Sequence, residues 1–340
     1  MTFVSIIIPC YNEQATIRLL LDAIYHQTYP RSDMEVIIAD GFSTDQTRQE
    51  IAKFQDAYPA LAVRIVDNHK RTIPSGLNRA LEASRGDIII RLDAHSTPAL
   101  TYVERCVSGL QTGLGENVGG VWDIQPGSHR WISVVIAAAA AHPLGVGDAL
   151  YRLNSQPGEV DTVPFGAYRR ETFERVGRWD ENLLTNEDYE LNTRIRQSGG
   201  KIWLDPAIRS IYFARPTLSA LARQYWRYGF WKWRMLRRYP KTLRPRQALP
   251  PLFVLSLIIL AVLSFFCTQA AWVLLLEICL YLAILIAGSI STARQRGDWR
   301  LAFGVPLAIA TMHISWGSGF LASMLTSPGQ RSDLPSAKEN

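Results

Sequence analysis

A chain of 340 residues is sized for one or two domains, and its four cysteines, Cys10, Cys106, Cys267 and Cys279, lack the spacing of a zinc site or a disulfide framework. The formal net charge of +6 has a local source: between residues 223 and 246 every charged residue is basic, with Trp226, Trp231 and Trp233 interleaved. Directly ahead of long apolar segments, that stretch reads as a helix lying on anionic lipid, which excludes nucleic acid as its partner.

In chain order, residues 3–9 form a short β-branched run that reads as a buried strand. Residues 15–27 carry Ile17, Leu20, Leu21 and Ile24 at helical spacing. Residues 35–39 read as a second strand, and Ser43-Thr44-Asp45 opens a helix that closes near Tyr58-Pro59. Residues 62–67 are a third strand, 75–84 a helix closed by Gly86, 87–92 a fourth strand ending on Asp93, and 101–110 the next helix. This alternation predicts an α/β fold with a parallel, doubly wound sheet, whose ligands sit beyond the carboxyl ends of the strands. The residues expected there are Tyr11, Asn12, Glu13, Asp40, Asn68 and Asp93.

Residues 131–147 are apolar but too short to span a bilayer; packing on the sheet and contact with a membrane surface both remain open. Residues 161–177 read as loop, strand and short helix, 188–197 as a helix ended by Gly199-Gly200, and 217–238 as a basic amphipathic helix. Residues 249–268, 271–290 and 301–325 are each long and apolar enough to cross a bilayer, and Glu277 and His313 lie inside two of them. The link at 267–271 is uncharged, whereas the next contains Arg294, Arg296 and Arg300. The positive-inside rule then places the N-terminal domain in the cytosol and the tail outside. No basic leader precedes the first strand, so that domain is expected to remain cytoplasmic, on a multi-pass inner-membrane protein. The expected organisation is a catalytic domain over 1–216, an interfacial helix and linker over 217–248, the three spans, and a disordered tail over 326–340.

Four constellations carry candidate chemistry. The first pairs residues 5–13 with 39–45, where an aromatic after one strand and a carboxylate after the next can hold a base; helix capping explains the same residues. The second is Asp93-Ala94-His95, two ligands able to share Mg²⁺ or Mn²⁺ with diphosphate oxygens, or else a turn aspartate beside a surface histidine. The third is Glu187-Asp188 at a helix start, where carboxylates also complement the helix dipole. In the fourth, Gln224, Arg227 and Tyr228 share one face of the basic helix, facing either an acceptor channel or lipid.

In this order and spacing, over residues 3–239, the four constellations resemble family 2 glycosyltransferases of the GT-A fold, a Rossmann-like nucleotide-diphospho-sugar transferase domain. Lys70-Arg71-Thr72-Ile73-Pro74, Leu77-Asn78-Arg79, Arg91-Leu92-Asp93-Ala94-His95-Ser96 and Tyr225…Tyr228-Gly229 resemble the succinoglycan-type exopolysaccharide glucosyltransferases. The resemblance implies that Pro9, Tyr11, Glu13 and Asp40 line the base and ribose pocket. It implies that Asp93 contacts nucleotide or metal, that His95 is the direct metal ligand, and that Asp188 is the catalytic base. Glu187, Gln224 and Arg227 would serve the acceptor or diphosphate side, and Phe165-Gly166-Ala167-Tyr168-Arg169-Arg170 the acceptor side. Gln224 and Arg227 match a Q-x-x-R-W motif of processive members, with Tyr228 in place of its tryptophan.

The implied activity is metal-dependent, inverting transfer of a sugar, glucose from UDP-glucose, to a polyprenyl-diphosphate-linked oligosaccharide. The alternatives are synthesis of a polyprenyl-phosphate sugar and a non-catalytic, nucleotide-sensing membrane subunit.

Overall fold

The computed structural model of the protein describes residues 2–153 and 156–326; the expected disordered tail lies outside them, apart from Thr326. The chain begins with β1 (Val4–Cys10), α1 (Ile17–Tyr25), β2 (Met34–Asp40), α2 (Thr47–Ala57), β3 (Ala62–Asp67), α3 (Ile73–Ala83) and β4 (Ile88–Arg91). There follow β5 (Thr97–Pro98), α4 (Tyr102–Gln111), β6 (Asn117–Pro126), α5 (Trp131–Ala140), the single turn α6 (Pro143–Val146), β7 (Gly158–Glu159), β8 (Ala167–Arg169), α7 (Arg170–Val176), α8 (Glu187–Gln197) and β9 (Ile202–Ala214). Four helices complete the chain: α9 (Leu218–Leu236), α10 (Pro245–Leu263), α11 (Thr268–Arg296) and α12 (Leu301–Leu325).

The strands form one sheet of order β3-β2-β1-β4-β8-β6-β9-β5, with β7 paired to β9. Period-two alternation explains how its first half buries both faces. Ile6 and Ile8 of β1 join Leu20, Ile24 and Phe54 on one side, whereas Ile7 joins Leu77 and Leu81 on the other. The expected parallel pairing holds for β3, β2, β1 and β4. It then changes, because β8 pairs antiparallel with both β4 and β6. The chain order reverses between β1 and β4, and this is the switch point at which ligands enter open α/β sheets.

Strands β6 and β9 pair in parallel, with a register shift between Gly119 and Val121. A Cβ on Gly120 would lie 1.7 Å from the Ile208 carbonyl oxygen, so only glycine fits this irregularity. Helix α5 packs against α12: Val135 and Trp131 lie against Gly304. The same helix also lies against β6 and β9, so it packs on the sheet, one of the two readings of residues 131–147.

Three helices, α10, α11 and α12, are long and apolar enough to cross a membrane. The first starts four residues earlier than expected, with Pro245 in its first turn, where a missing N–H costs no helical bond. The second continues to Arg296, where Arg294 and Arg296 complement the helix C-terminus and Gly297 (φ +65°) ends it. Glu277 accepts a hydrogen bond from Ser256 Oγ (2.5 Å), and His313 Nδ1 pairs with Tyr281 Oη (3.0 Å), so both apolar-segment ionisable residues have partners across helices.

Helix α9 differs from an isolated surface helix. A Cβ on Gly229 would lie 2.0 Å from the Trp316 carbonyl oxygen, and one on Gly319 would lie 2.1 Å from that of Trp226. The α9 and α12 backbones therefore touch. The opposite side buries Phe230, Trp231 and Met235 with Leu183 and Tyr189. Part of the basic stretch is also neutralised by acids of the catalytic domain: Arg238 pairs with Asp180, and Arg246 with Asp148 and Asp161.

Candidate active site

The site grows from the carboxyl ends of β1, β2 and β4. After β1, Asn12 adopts a left-handed conformation (φ +54°), and its N–H donates to Ser43 Oγ (2.9 Å) while its Oδ1 accepts from the Thr44 N–H (2.8 Å). The loops after β1 and β2 are thereby tied together. Gly41 leaves room for the Tyr11 ring, since a Cβ there would lie 3.3 Å from Tyr11 Cδ2. Pro9 sits beneath α3 at Gly76, where an added Cβ would come within 3.1 Å of Pro9 Cβ. Asp40 is fully buried. Its oxygens accept from Ser43 Oγ (2.5 Å), the Ser43 N–H (3.1 Å) and Arg48 Nε (2.5 Å), so its carboxylate fixes this loop.

The centre of the site is a residue to which the sequence pattern gave no role. Arg91 ends β4 with a side chain only 4% exposed. Its guanidinium donates to Asp93 Oδ1 (3.0 Å) and Glu187 Oε1 (3.1 Å), and it also pairs with Asp188 Oδ2. One cation thus gathers the acid that follows strand four and both acids that head α8, across about ninety residues of chain. Asn186 makes this approach possible: its left-handed backbone (φ +67°) turns the chain into α8, and asparagine tolerates that region well. Its side-chain amide also donates to the Tyr228 carbonyl of α9 (3.3 Å).

Burial raises the carboxyl pKa of both Glu187 and Asp188, with Arg91 opposing the shift. The second oxygen of Asp188 accepts from the Trp179 indole N–H (3.1 Å). Trp179 is itself held by Asn78, which accepts from its backbone N–H (3.1 Å) and donates to its carbonyl (2.9 Å). Asn78 also donates to Glu181, which pairs with Lys70. The segment 70–79 therefore acts at a distance, by bracing the tryptophan that orients Asp188.

His95 Nδ1 pairs with Glu13 Oε1 at 3.0 Å, which connects the ends of β1 and β4. Burial works against a charged imidazole, but the Glu13 carboxylate outweighs it and raises the His95 pKa. Among the described residues no cluster of three or more His, Cys, Asp or Glu side chains is arranged to hold a metal ion. A cation at Asp93 and His95 would take its remaining ligands from a bound diphosphate. The donor set fits that arrangement: the second oxygen of Asp93 and Nε2 of His95 carry no protein hydrogen bond among the described residues.

On α9, Gln224 Nε2 donates to Tyr212 Oη and Tyr228 Oη, both at 3.1 Å, and Arg227 lies one turn further on. Phe165 (φ +63°) precedes β8 and places its ring 5.8 Å from that of Trp122 on β6. The expected residues fall into three groups. Pro9, Tyr11, Glu13 and Asp40 stand at the ends of β1 and β2, with Glu13 paired to His95; Asp93, Glu187 and Asp188 gather on Arg91; Gln224 lies on α9. Arg91, Asn78 and Trp179 complete the centre. The first two lie within the quoted motifs, while Trp179 has no local signal.

Comparison with known proteins agrees with this geometry. A family model described as glycosyl transferase family 2 matches residues 5–177. The chain is 30% identical over 327 residues to the succinoglycan biosynthesis protein ExoA of Rhizobium meliloti, covering 94% of each chain. It is 28% identical to a Methanococcus voltae protein named dolichyl N-acetyl-alpha-D-glucosaminyl phosphate 3-beta-D-2,3-diacetamido-2,3-dideoxy-beta-D-glucuronosyltransferase, covering 70% of this chain and 75% of that one. In fold it is similar to the mannosyltransferase PcManGT of Pyrobaculum calidifontis, solved with GDP-Man and Mn²⁺ (TM-score 0.61, 22% identity, 95% of this chain and 87% of that one). It is also similar to Staphylococcus aureus TarS 1–349 with UDP-GlcNAc (TM-score 0.51, 12% identity, 95% and 91%). A GT-A-type sheet carrying its acids at the switch point, the family model over half the chain and an end-to-end relative together establish that this protein belongs to glycosyl transferase family 2.

Proposed function

We propose that the protein transfers glucose from UDP-glucose, with inversion, to a polyprenyl-diphosphate-linked oligosaccharide during exopolysaccharide synthesis, from the cytoplasmic face of the inner membrane. The observation that carries this reading is the Arg91 hub, which brings Asp93 and Asp188 to one cation. ExoA, similar over nearly the whole chain, supports an exopolysaccharide setting; the dolichyl-named relative supports a lipid-linked acceptor.

In this reading Asp188 takes the proton of the attacking hydroxyl. Trp179 and Arg91 hold its two oxygens, and Arg91 opposes the upward pull of burial on its pKa. Asp93 and His95 hold Mg²⁺ or Mn²⁺; when bound, the cation offsets the charge that builds on the leaving diphosphate. The wall of Pro9, Tyr11, Glu13 and Asp40 receives the nucleoside, while Glu187, Gln224 and Arg227 face the acceptor and diphosphate. Helix α9 and the three apolar helices keep the site beside anionic lipid.

The test is a screen of radiolabelled nucleotide sugars against membranes containing the protein, with Mg²⁺ or Mn²⁺, followed by identification of the lipid product. A lengthened lipid-linked glycan is expected. A monosaccharide phospholipid would replace this reading with direct transfer to polyprenyl phosphate, and no labelled lipid with any donor would refute both.

A further inference from the structure

A second arginine lies buried in surroundings that call for a ligand. Arg152 is only 9% exposed. Its guanidinium carbon sits over Trp122 (4.8 Å), Tyr151 (5.4 Å) and Tyr212 (5.8 Å), measured to the ring centroids. Its sole side-chain hydrogen bond among the described residues runs from Nε to Tyr151 Oη (3.3 Å), and no carboxylate there pairs with it. Aromatic faces offset part of the cost of burying this cation, but its terminal N–H groups still need acceptors.

The neighbours add donors rather than acceptors. The Trp122 indole N–H is buried with no partner among the described residues. Gln224 Nε2 donates to both the Tyr212 and Tyr228 hydroxyls, leaving each hydroxyl with a proton to give and no acceptor among the described residues. Buried donors without partners are rare in folded proteins, and a cluster of donors around one cation has the chemistry of an anion site. Trp122 and Tyr212 are stacked at 4.1 Å and fix the floor of the cluster.

Its location narrows the anion. Strand β5, which follows His95, pairs with β9 at Thr97–Ile211, one residue from Tyr212. Asn186, next to Glu187, bonds the Tyr228 carbonyl. On the other side Tyr228 meets Trp316 of α12, ring to ring at 6.5 Å. The cluster therefore sits between the candidate catalytic acids and the apolar helices. We propose that Arg152, with the Trp122 indole and the Tyr212 and Tyr228 hydroxyls, binds a phosphate group of the isoprenoid diphosphate that carries the acceptor glycan. This rests on the lipid-linked-acceptor reading above and assigns its phosphate site.

The test uses the full-length protein in detergent, with farnesyl phosphate and farnesyl diphosphate as probes, farnesol and phosphatidylglycerol as controls, and UDP binding measured in parallel. Wild type should bind both phosphorylated isoprenoids at least about tenfold tighter than farnesol, the scale of a charge-assisted hydrogen bond. Arg152→Gln should remove that difference, Arg152→Lys should restore part of it, and UDP affinity should remain within twofold. Trp122→Phe, which keeps the ring and deletes the N–H, should weaken phosphate binding a few-fold; it decides the matter if Arg152→Gln does not fold. Equal binding of farnesol, equal competition by phosphatidylglycerol, unchanged binding in both variants, or a parallel loss of UDP binding would each overturn the assignment. Arg152-dependent phosphate binding without any sugar transfer would uphold the site and refute the transfer reading; transfer with Arg152-independent binding would do the reverse.

Discussion

Two buried arginines, Arg91 and Arg152, occupy opposite electrostatic surroundings. Arg91 meets three carboxylates and Arg152 meets aromatic rings. In the first case the protein supplies more negative charge than one guanidinium cancels, and burial, with the neighbouring acids adding to it, raises the pKa of Glu187 and Asp188. In the second case the positive charge is the surplus. A protein that leaves a deficit of each sign at two buried sites is prepared for substrates that carry the complement: a metal–nucleotide at one, an anion at the other.

The sharpest way to break the acidic half is Asp188→Asn. It should lower transfer by about 10²–10⁴-fold, the typical worth of a positioned base, while nucleotide affinity measured by calorimetry stays within twofold. Normal turnover would remove Asp188 from the chemistry. Next in size is Arg91→Gln, which strands three acids without their cation. Removing one partner of a buried pair costs about 3–5 kcal/mol, so the thermal midpoint should fall clearly, and Arg91→Lys should recover part of the loss.

A pH profile sharpens the same half. Because burial holds the Asp188 pKa above that of an ordinary aspartate, its basic form is lost sooner on acidification. The acid limb of kcat/KM should therefore lie above about 3.9 and move further up in Arg91→Gln. An unmoved limb would show that Arg91 does not govern the base.

The smallest expected effect tests a third buried cation. Lys232 of α9 is 1% exposed. Its ammonium lies 3.9 Å from the Tyr189 ring centroid, and its pKa is pushed down to about 7 by burial, against the pull of Asp161. The unfolded chain then binds more protons from about pH 7 up to about 10.4. Stability contributed at this position thus rises with pH across that window. Lys232→Met should raise the thermal midpoint more at pH 6 than at pH 9; equal changes would mean the ammonium bears no burial cost.

How much of this was legible in the sequence differs between the halves of the sheet. Strands β1 to β4 announce themselves because β-branched runs such as Ser5-Ile6-Ile7-Ile8 alternate with amphipathic helices. Strands β6 and β9 do not, because Gly119-Gly120 and Asp205-Pro206 read as turns although they sit at an irregularity inside paired strands. The same contrast holds for the site. Asp93, His95 and Asp188 stand at strand and helix ends, where local pattern points to them. Arg152 and Trp122 gain meaning only when β6 and β9 bring their aromatic residues to the loop after α6, a long-range event with no local signature. Arg91 lies between: visible within a motif, but its partners Glu187 and Asp188 are brought to it only by the fold.

The backbone contact between α9 and α12, at Gly229 and Gly319, has a practical consequence. Cutting the chain after α9 to obtain a water-soluble enzyme would strip the cover from that helix at Gly229 and from Trp131 and Val135 of α5, leaving both faces open to solvent. The helix bearing Gln224 and Tyr228 would then lose its footing beside Asn186. Attempts to isolate the catalytic portion should therefore retain residues 301–325, which act as a structural support for α9 and α5 rather than a mere tether.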